Sequence, residues 1–287
     1  MLQHTHGSID YREQGTGPTI VFVPGSWATG AAWSHVIEAL DHRFRTVTTS
    51  LPGYGGTRES RTTDDCSINR SSEVVETAIR RAGGPVHLVG HSYGALVCLD
   101  IALCGLMPLM SLTLIEPVAF GLLRQAGELS LYDEFARTAD DYVRLFEAGE
   151  KEAARRMVDY LDGQGRFAAL PPRIRDQIID RTPSHILDLR SGFDPTALAL
   201  GNILLPTRVV SGERTRPGLQ KCAHILSRAM ANASLHTIPG ARHSIPVTHA
   251  TELAGLIGDH VKTTESLAWS SLSFASPFGI GTPREQL

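Results

Sequence analysis

A serine hydroxyl is almost fully protonated at neutral pH, and it becomes a useful nucleophile only when a base takes its proton and a third group orients that base. One serine in this chain sits where such activation is sterically favoured. Residues 86–96 read VHLVGHSYGAL, a short β-rich run joined to a long apolar, helix-sized stretch, with Ser92 at the joint. Gly90 and Gly94 flank it at i−2 and i+2. That G-x-S-x-G spacing suits a strained strand-to-helix turn in which backbone approaches backbone and a Cβ at either glycine finds no room. The same five residues also occur by chance as an ordinary glycine-lined turn. Their placement between a buried strand and an apolar helix argues for the nucleophile, whose chemistry would be attack on a carbonyl.

The surrounding sequence alternates strand-like and helix-like segments. TIVFVPG (19–25) reads as a buried strand, AAWSHVIEAL (31–40) as a helix, and FRTVTTSLPGYG (44–55) as a strand entering a glycine-rich turn. NRSSEVVETAIRRAGG (69–84) is an amphipathic helix closed by two glycines, followed by the strand before Ser92, the helix at 94–106, and SLTLIEP (111–117), a strand stopped by proline. Strands return as TRVVSG (207–212) and SLHTIPG (234–240), with helices at 217–230 and 250–262. This predicts an α/β fold, a mostly parallel central sheet with helices on both faces. Between them, residues 119–200 are helical, charged and too long for a loop. They read as a helical cap inserted into a core of 1–118 and 201–262. The serine- and glycine-rich tail, 263–287, reads as a loose C-terminal extension, and HTH at 4–6 as a mobile end.

Composition narrows the function classes. The 287 residues hold 27 basic and 30 acidic side chains, a net charge of −3, and no basic run marks a nucleic acid or membrane surface as a partner. A small, weakly charged molecule is the expected partner, with a homodimer left open. The N-terminus lacks a basic segment followed by an apolar core, so no signal peptide is expected and the cytoplasm is the default location. Cys66, Cys98, Cys104 and Cys222 form no C-x-x-C pair and read as buried free thiols. Twelve histidines include no metal-binding spacing, so neither a metal nor a cofactor is expected.

Three ordered motifs carry a resemblance: VFVPGSW (21–27), LPGYGGT (51–57) and GHSYG (90–94), with IPGARHS (238–244) downstream. Together they resemble α/β-hydrolase-fold proteins of the esterase and lipase type, over about residues 7–262, although Pro24 stands where histidine is commonest. The resemblance implies a cofactor-free serine hydrolase acting on small carboxylic esters, with lactone or carbon–carbon cleavage by the same residues, or a receptor-like ligand-binding member of the fold, as alternatives. His243 follows a strand and a glycine turn, and is the expected base, with His249 its competitor at the start of the last helix. Backbone N–H groups would hold the oxyanion. The residue after the nucleophile, Tyr93, supplies one, and the resemblance places the other at Ser26, which could instead be a helix cap in a plain turn. Trp27 and His91 are assigned to the substrate pocket, Trp27 with simple packing as its alternative.

The acid is the open question. The family commonly places a carboxylate in a G-x-x-D turn after the strand that follows the cap, and here that position is Thr215, which carries no charge. Either Glu213 reaches in from two residues earlier, or the acid has moved to Glu116 at the end of SLTLIEP, where some members carry it. Glu116 is the preferred assignment.

Overall fold

The computed structural model describes residues 1–4, 7–40, 43–193 and 197–274. A short antiparallel hairpin, β1 (Leu2–His4) with β2 (Gly7–Ile9), precedes a seven-stranded sheet among the described residues. Its strands are β3 (Tyr11–Gln14), β4 (Thr19–Val23), β5 (Arg45–Thr49), β6 (Val86–His91), β7 (Leu109–Ile115), β8 (Thr207–Gly212) and β9 (Ala233–Ile238). They lie in the order β3-β5-β4-β6-β7-β8-β9, with only the β3–β5 pair antiparallel. This is the mostly parallel sheet that the alternating sequence predicts.

The helices in chain order are α1 (Ser34–Ala39), α2 (Ile68–Ala82) and α3 (Tyr93–Cys104). Between β7 and β8 come α4 (Gly121–Gln125), α5 (Leu129–Glu147), α6 (Arg155–Asp162), α7 (Arg166–Ala169), α8 (Pro172–Asp180), α9 (Thr182–Leu189) and α10 (Ala197–Leu200). The last are α11 (Pro217–Ala229), α12 (Ile245–Thr248) and α13 (Ala250–Phe274). Side chains alternate across a strand, so neighbours in β4 serve opposite layers. Val21 and Val23 pack with Val75 and Ile79 of α2, Leu99 of α3 and Leu226 of α11. Ile20 and Phe22 pack with Val36 of α1 and Leu253, Ile257 and Val261 of α13. Covering both faces is what lets a parallel sheet be apolar on both. A third cluster, including Phe120, Tyr142, Met157, Phe167 and Ile186, joins the helices between β7 and β8 to α11.

Three sequence expectations need correction. The boundary at 263 falls inside α13, which runs on to Phe274. Hydroxyls that look helix-breaking are turned back on the helix instead: Thr264 Oγ1 donates to the carbonyl of His260, Ser266 Oγ to Lys262 and Ser270 Oγ to Ser266. Glu265 also pairs with His87 of β6 at 3.1 Å. Residues 275–287 lie outside the described residues. His4, expected at a mobile end, belongs to the β1–β2 hairpin, while residues 5–6 lie outside the described ones. Among the cysteines, all unpaired, Cys98 and Cys222 are buried, but Cys66 is half-buried and Cys104, at the end of α3, is exposed. No helix among the described residues is long and apolar enough to cross a membrane.

Candidate active site

Ser92 lies between β6 and α3, at the N-cap position of the helix, with φ 56° and ψ −122°. Its N–H donates to the carbonyl of Ile115 in β7 at 2.9 Å, fixing the turn to the neighbouring strand. A Cβ on Gly94 would lie 2.3 Å from the carbonyl oxygen of Pro24, and one on Gly25 would lie 2.8 Å from the Ser92 Cβ. These glycines let the loop after β4 press against the turn at Ser92. Non-glycine residues rarely take positive φ, and those that do among the described residues are Trp27, Ser92 and Glu116. All three belong to this region. Such backbone strain survives only where the surroundings over-determine it.

His243 lies in the loop between β9 and α12. Its Nε2 is 3.0 Å from Ser92 Oγ, and its Nδ1 is 3.1 Å from Glu116 Oε2. A carboxylate only accepts, so Nδ1 carries the hydrogen and Nε2 is left to accept from the serine. All three side chains are nine-tenths buried or more.

Glu116 follows β7, its N–H donating to the carbonyl of Val210 in β8 at 2.8 Å. Its Oε1 accepts from the Gly212 N–H at 2.7 Å and the Ser211 hydroxyl at 3.1 Å. Its Oε2 accepts from Thr215 Oγ1 at 2.6 Å as well as from His243. Thr215, at the position where the family commonly carries its acid, thus donates to the carboxylate that has come from the neighbouring strand. Glu213 is exposed and points elsewhere, accepting from the N–H of Gly240 at 2.8 Å. His249 bonds Thr248 Oγ1 at the end of α12.

Ser92 opens into a cavity of about 250 Å³. Leu96, Val118, Phe120, Phe135, Met157 and Leu161 give it apolar walls, and Ser26, Tyr93, His185 and Asp188 line it near the serine. The amides of Ser26 and Tyr93 make no hydrogen bond among the described residues. The two pocket assignments are not met. His91 is not among the residues that line the cavity and donates from Nε2 to the carbonyl of His243 at 2.9 Å. Trp27 lies one layer back, its ring packed against that of His185 with the centroids 3.8 Å apart and the planes tilted by 32°.

Sequence reasoning missed Asp188, His185 and Asp162, all on the helices between β7 and β8. Asp162 accepts from the N–H and hydroxyl of Ser244, beside His243, at 3.0 and 2.6 Å. Asp188 accepts from Ser26, Tyr54 and Arg61. Burial pushes the Asp188 carboxyl above its usual value, opposed first by Arg61 and then by the two hydroxyls. No local pattern distinguishes these carboxylates from others on charged helices.

Two histidines here are held neutral. Burial, and then Arg61, pushes His185 down to about 3. Burial, and then His243, pushes His91 down to about 4. Since an unfolded histidine titrates near about 6.5, the unfolded chain takes up these protons first as pH falls. Their contribution to stability is complete above that pH and is lost on acidification, by up to about 1.4 kcal/mol per pH unit for each. Melting temperatures measured from about pH 7.5 to 5 should fall, and His185→Gln should fall less steeply. Equal slopes would mean that His185 is protonated in the folded protein.

A model of the family described as "Alpha/beta hydrolase family" matches residues 20–256. The pimeloyl-(acyl-carrier protein) methyl ester esterase of Methylococcus capsulatus is 27% identical over 256 residues, spanning 87% of this chain and 97% of that protein. Among solved structures, a thermophilic esterase from Thermogutta terrifontis superposes with a TM-score of 0.69 at 19% identity, covering 89% of this chain and 93% of the other. The enol-lactonase from Burkholderia xenovorans LB400 superposes with a TM-score of 0.69 at 16% identity, covering 88% and 96%.

Proposed function

The chain belongs to the alpha/beta hydrolase family, and we propose that it is a cofactor-independent serine hydrolase that cleaves small carboxylic esters through an acyl-enzyme on Ser92. The supporting observation is the unbroken line of hydrogen bonds from Glu116 through His243 to Ser92, ending at the wall of a largely apolar cavity. Ser92 Oγ attacks the ester carbonyl as His243 Nε2 takes its proton, and Glu116 stabilises the imidazolium that forms. The amides of Tyr93 and Ser26 receive the charge that develops on the carbonyl oxygen. As the tetrahedral adduct collapses, the imidazolium returns the proton to the departing alkoxide, and the alcohol leaves. Water, deprotonated by the same imidazole, then attacks the acyl-enzyme and releases the acid and Ser92.

In this reading residues 119–200 act as the cap, closing the cavity over Ser92. Its apolar walls suit an uncharged aliphatic or aromatic acyl group, and its volume of about 250 Å³ suits a small one. The relative from Methylococcus capsulatus is named for a methyl ester, so methyl esters join p-nitrophenyl esters as test substrates. The test is turnover: p-nitrophenyl butyrate should be hydrolysed over many cycles, and a fluorophosphonate probe should label Ser92 stoichiometrically and stop it. A single burst without turnover would support ligand binding in place of catalysis, and no labelling at Ser92 would remove the nucleophile.

A further inference from the structure

The loop after β4 that carries Ser26 and Trp27 is held by helices from outside the sheet. Asp188, on α9 and 4% exposed, accepts from the Ser26 hydroxyl through Oδ2 at 2.6 Å. The same oxygen accepts from Tyr54 OH at 2.6 Å, and Oδ1 accepts from Arg61 Nη1 at 2.6 Å. Arg61 is itself fixed by Glu59 and by the carbonyls of Pro52 and Ser184. Two further contacts from this region reach the next residue. Arg181 donates from Nη1 to the carbonyl of Trp27, and the His185 ring packs against the Trp27 ring.

A plainer account is that these contacts merely dock the inserted helices on the core. Burying a carboxylate and a guanidinium is a costly way to dock two surfaces, since apolar contacts achieve it without desolvating charge. Docking also gives no reason for the contacts to meet at residues 26 and 27. Trp27 has φ 62°, a conformation unfavourable for a bulky side chain, and the atoms that hold it there come from Arg181, between α8 and α9, and from His185 of α9. Ser26 lines the reaction cavity beside Ser92.

We propose that Asp188 is a positioning residue for ester hydrolysis: by holding the Ser26 hydroxyl, it aims the Ser26 amide at the oxyanion. The inference rests on the reading of Ser26 as an oxyanion donor. Arg61, which bonds Asp188 Oδ1 as well as Glu59, offsets part of the negative charge that Asp188 would otherwise present to the developing oxyanion. The inserted helices then take part in catalysis as well as in enclosing the substrate.

The test is a double-mutant cycle of Asp188→Ala and Ser26→Ala, with kcat and KM measured on p-nitrophenyl butyrate and folding followed by melting temperature. Each single variant is expected to lower kcat by about 10-fold to 10²-fold, a part of what loss of an oxyanion donor costs, with KM changing little. Affinity for an aryl trifluoromethyl ketone, which forms an oxyanion adduct with the serine, should fall in step with kcat. The double variant should lose no more than the worse single one, because both remove the same tether. Additive losses, or a folded Asp188→Ala with unchanged kcat, would overturn the proposal. Should Asp188→Ala fail to fold, Ser26→Ala, which leaves the Asp188–Arg61 pair in place, decides it: wild-type affinity for the ketone overturns the assignment. Wild-type protein that neither turns over the ester nor labels at Ser92 would overturn the hydrolase reading itself, whereas active wild type with unaffected variants overturns only the positioning role.

Discussion

Replacing Ser92 by alanine is expected to lower kcat on p-nitrophenyl butyrate by about 10⁶-fold, as loss of the serine does in other enzymes that use this relay. The size of the effect follows from what disappears. Without Oγ there is no acyl-enzyme, and the ester can be cleaved only by water attacking in a cavity built to aim a different nucleophile. The oxyanion donors and the binding walls remain, so the residual rate should still exceed the uncatalysed one, by about 10³-fold to 10⁴-fold. His243→Ala should lose a similar amount, and the double variant little more, because the serine and its base act as one unit. Ser92→Ala loses a single hydroxyl and keeps its backbone bond to Ile115, so its melting temperature should stay close to wild type. A variant that retains more than about one part in 10² of wild-type activity would mean that Ser92 is not the nucleophile.

How far such residues can be read from sequence depends on the range of the information. The nucleophile turn is legible because its signals are local: a buried strand, glycines at fixed spacing where a Cβ would strike the Pro24 and Gly94 carbonyl oxygens, and an apolar helix. His243 is legible because it follows the last strand of a parallel sheet, whose C-terminal edge gathers the loops that do chemistry. The acid is harder. Glu116 and Glu213 both leave the same edge on neighbouring strands, and only the course of each loop decides which carboxylate faces the imidazole. The left-handed backbone at Glu116 turns its side chain under His243, while Glu213 is turned out to hold Gly240. Asp188 was not legible at all. Its partners Ser26, Tyr54 and Arg61 stand 162, 134 and 127 residues away, and no periodicity links one aspartate of α9 to them. Residues 263–274 depart from expectation for a different reason: serine and threonine oppose helix by offering competing local bonds, and in α13 those bonds fold back onto the helix's own carbonyls.

Glu116→Gln is expected to reduce kcat by about 10²-fold to 10⁴-fold, and the bonds around the carboxylate say why. Each oxygen of Glu116 accepts twice, Oε1 from Gly212 and Ser211, Oε2 from Thr215 and His243. A glutamine has one oxygen to offer and an NH₂ in place of the other. The Gly212 N–H is backbone and cannot turn away, and leaving it unpaired would cost about 1–3 kcal/mol. The Thr215 hydroxyl can rotate and His243 can change tautomer. The amide oxygen therefore goes to Gly212, and the NH₂ faces Nδ1, which must then accept. That moves the imidazole hydrogen to Nε2, and Nε2–H can no longer take the proton of Ser92. The loss should appear in kcat with KM little changed, in protein whose circular dichroism is unaltered. Glu213→Gln keeps an oxygen for the Gly240 N–H and should stay within about 2-fold of wild type, as an exposed substitution away from the site does. Thr215 gives a further arm, because its hydroxyl already lies 2.6 Å from the oxygen that bonds His243. Adding Thr215→Asp to Glu116→Gln brings a carboxylate to the imidazole from the neighbouring strand and should recover about 10-fold of the lost kcat by restoring the tautomer. If Glu213→Gln alone shows the large loss, the acid is Glu213 and the bond from Glu116 to His243 serves only to hold the turn.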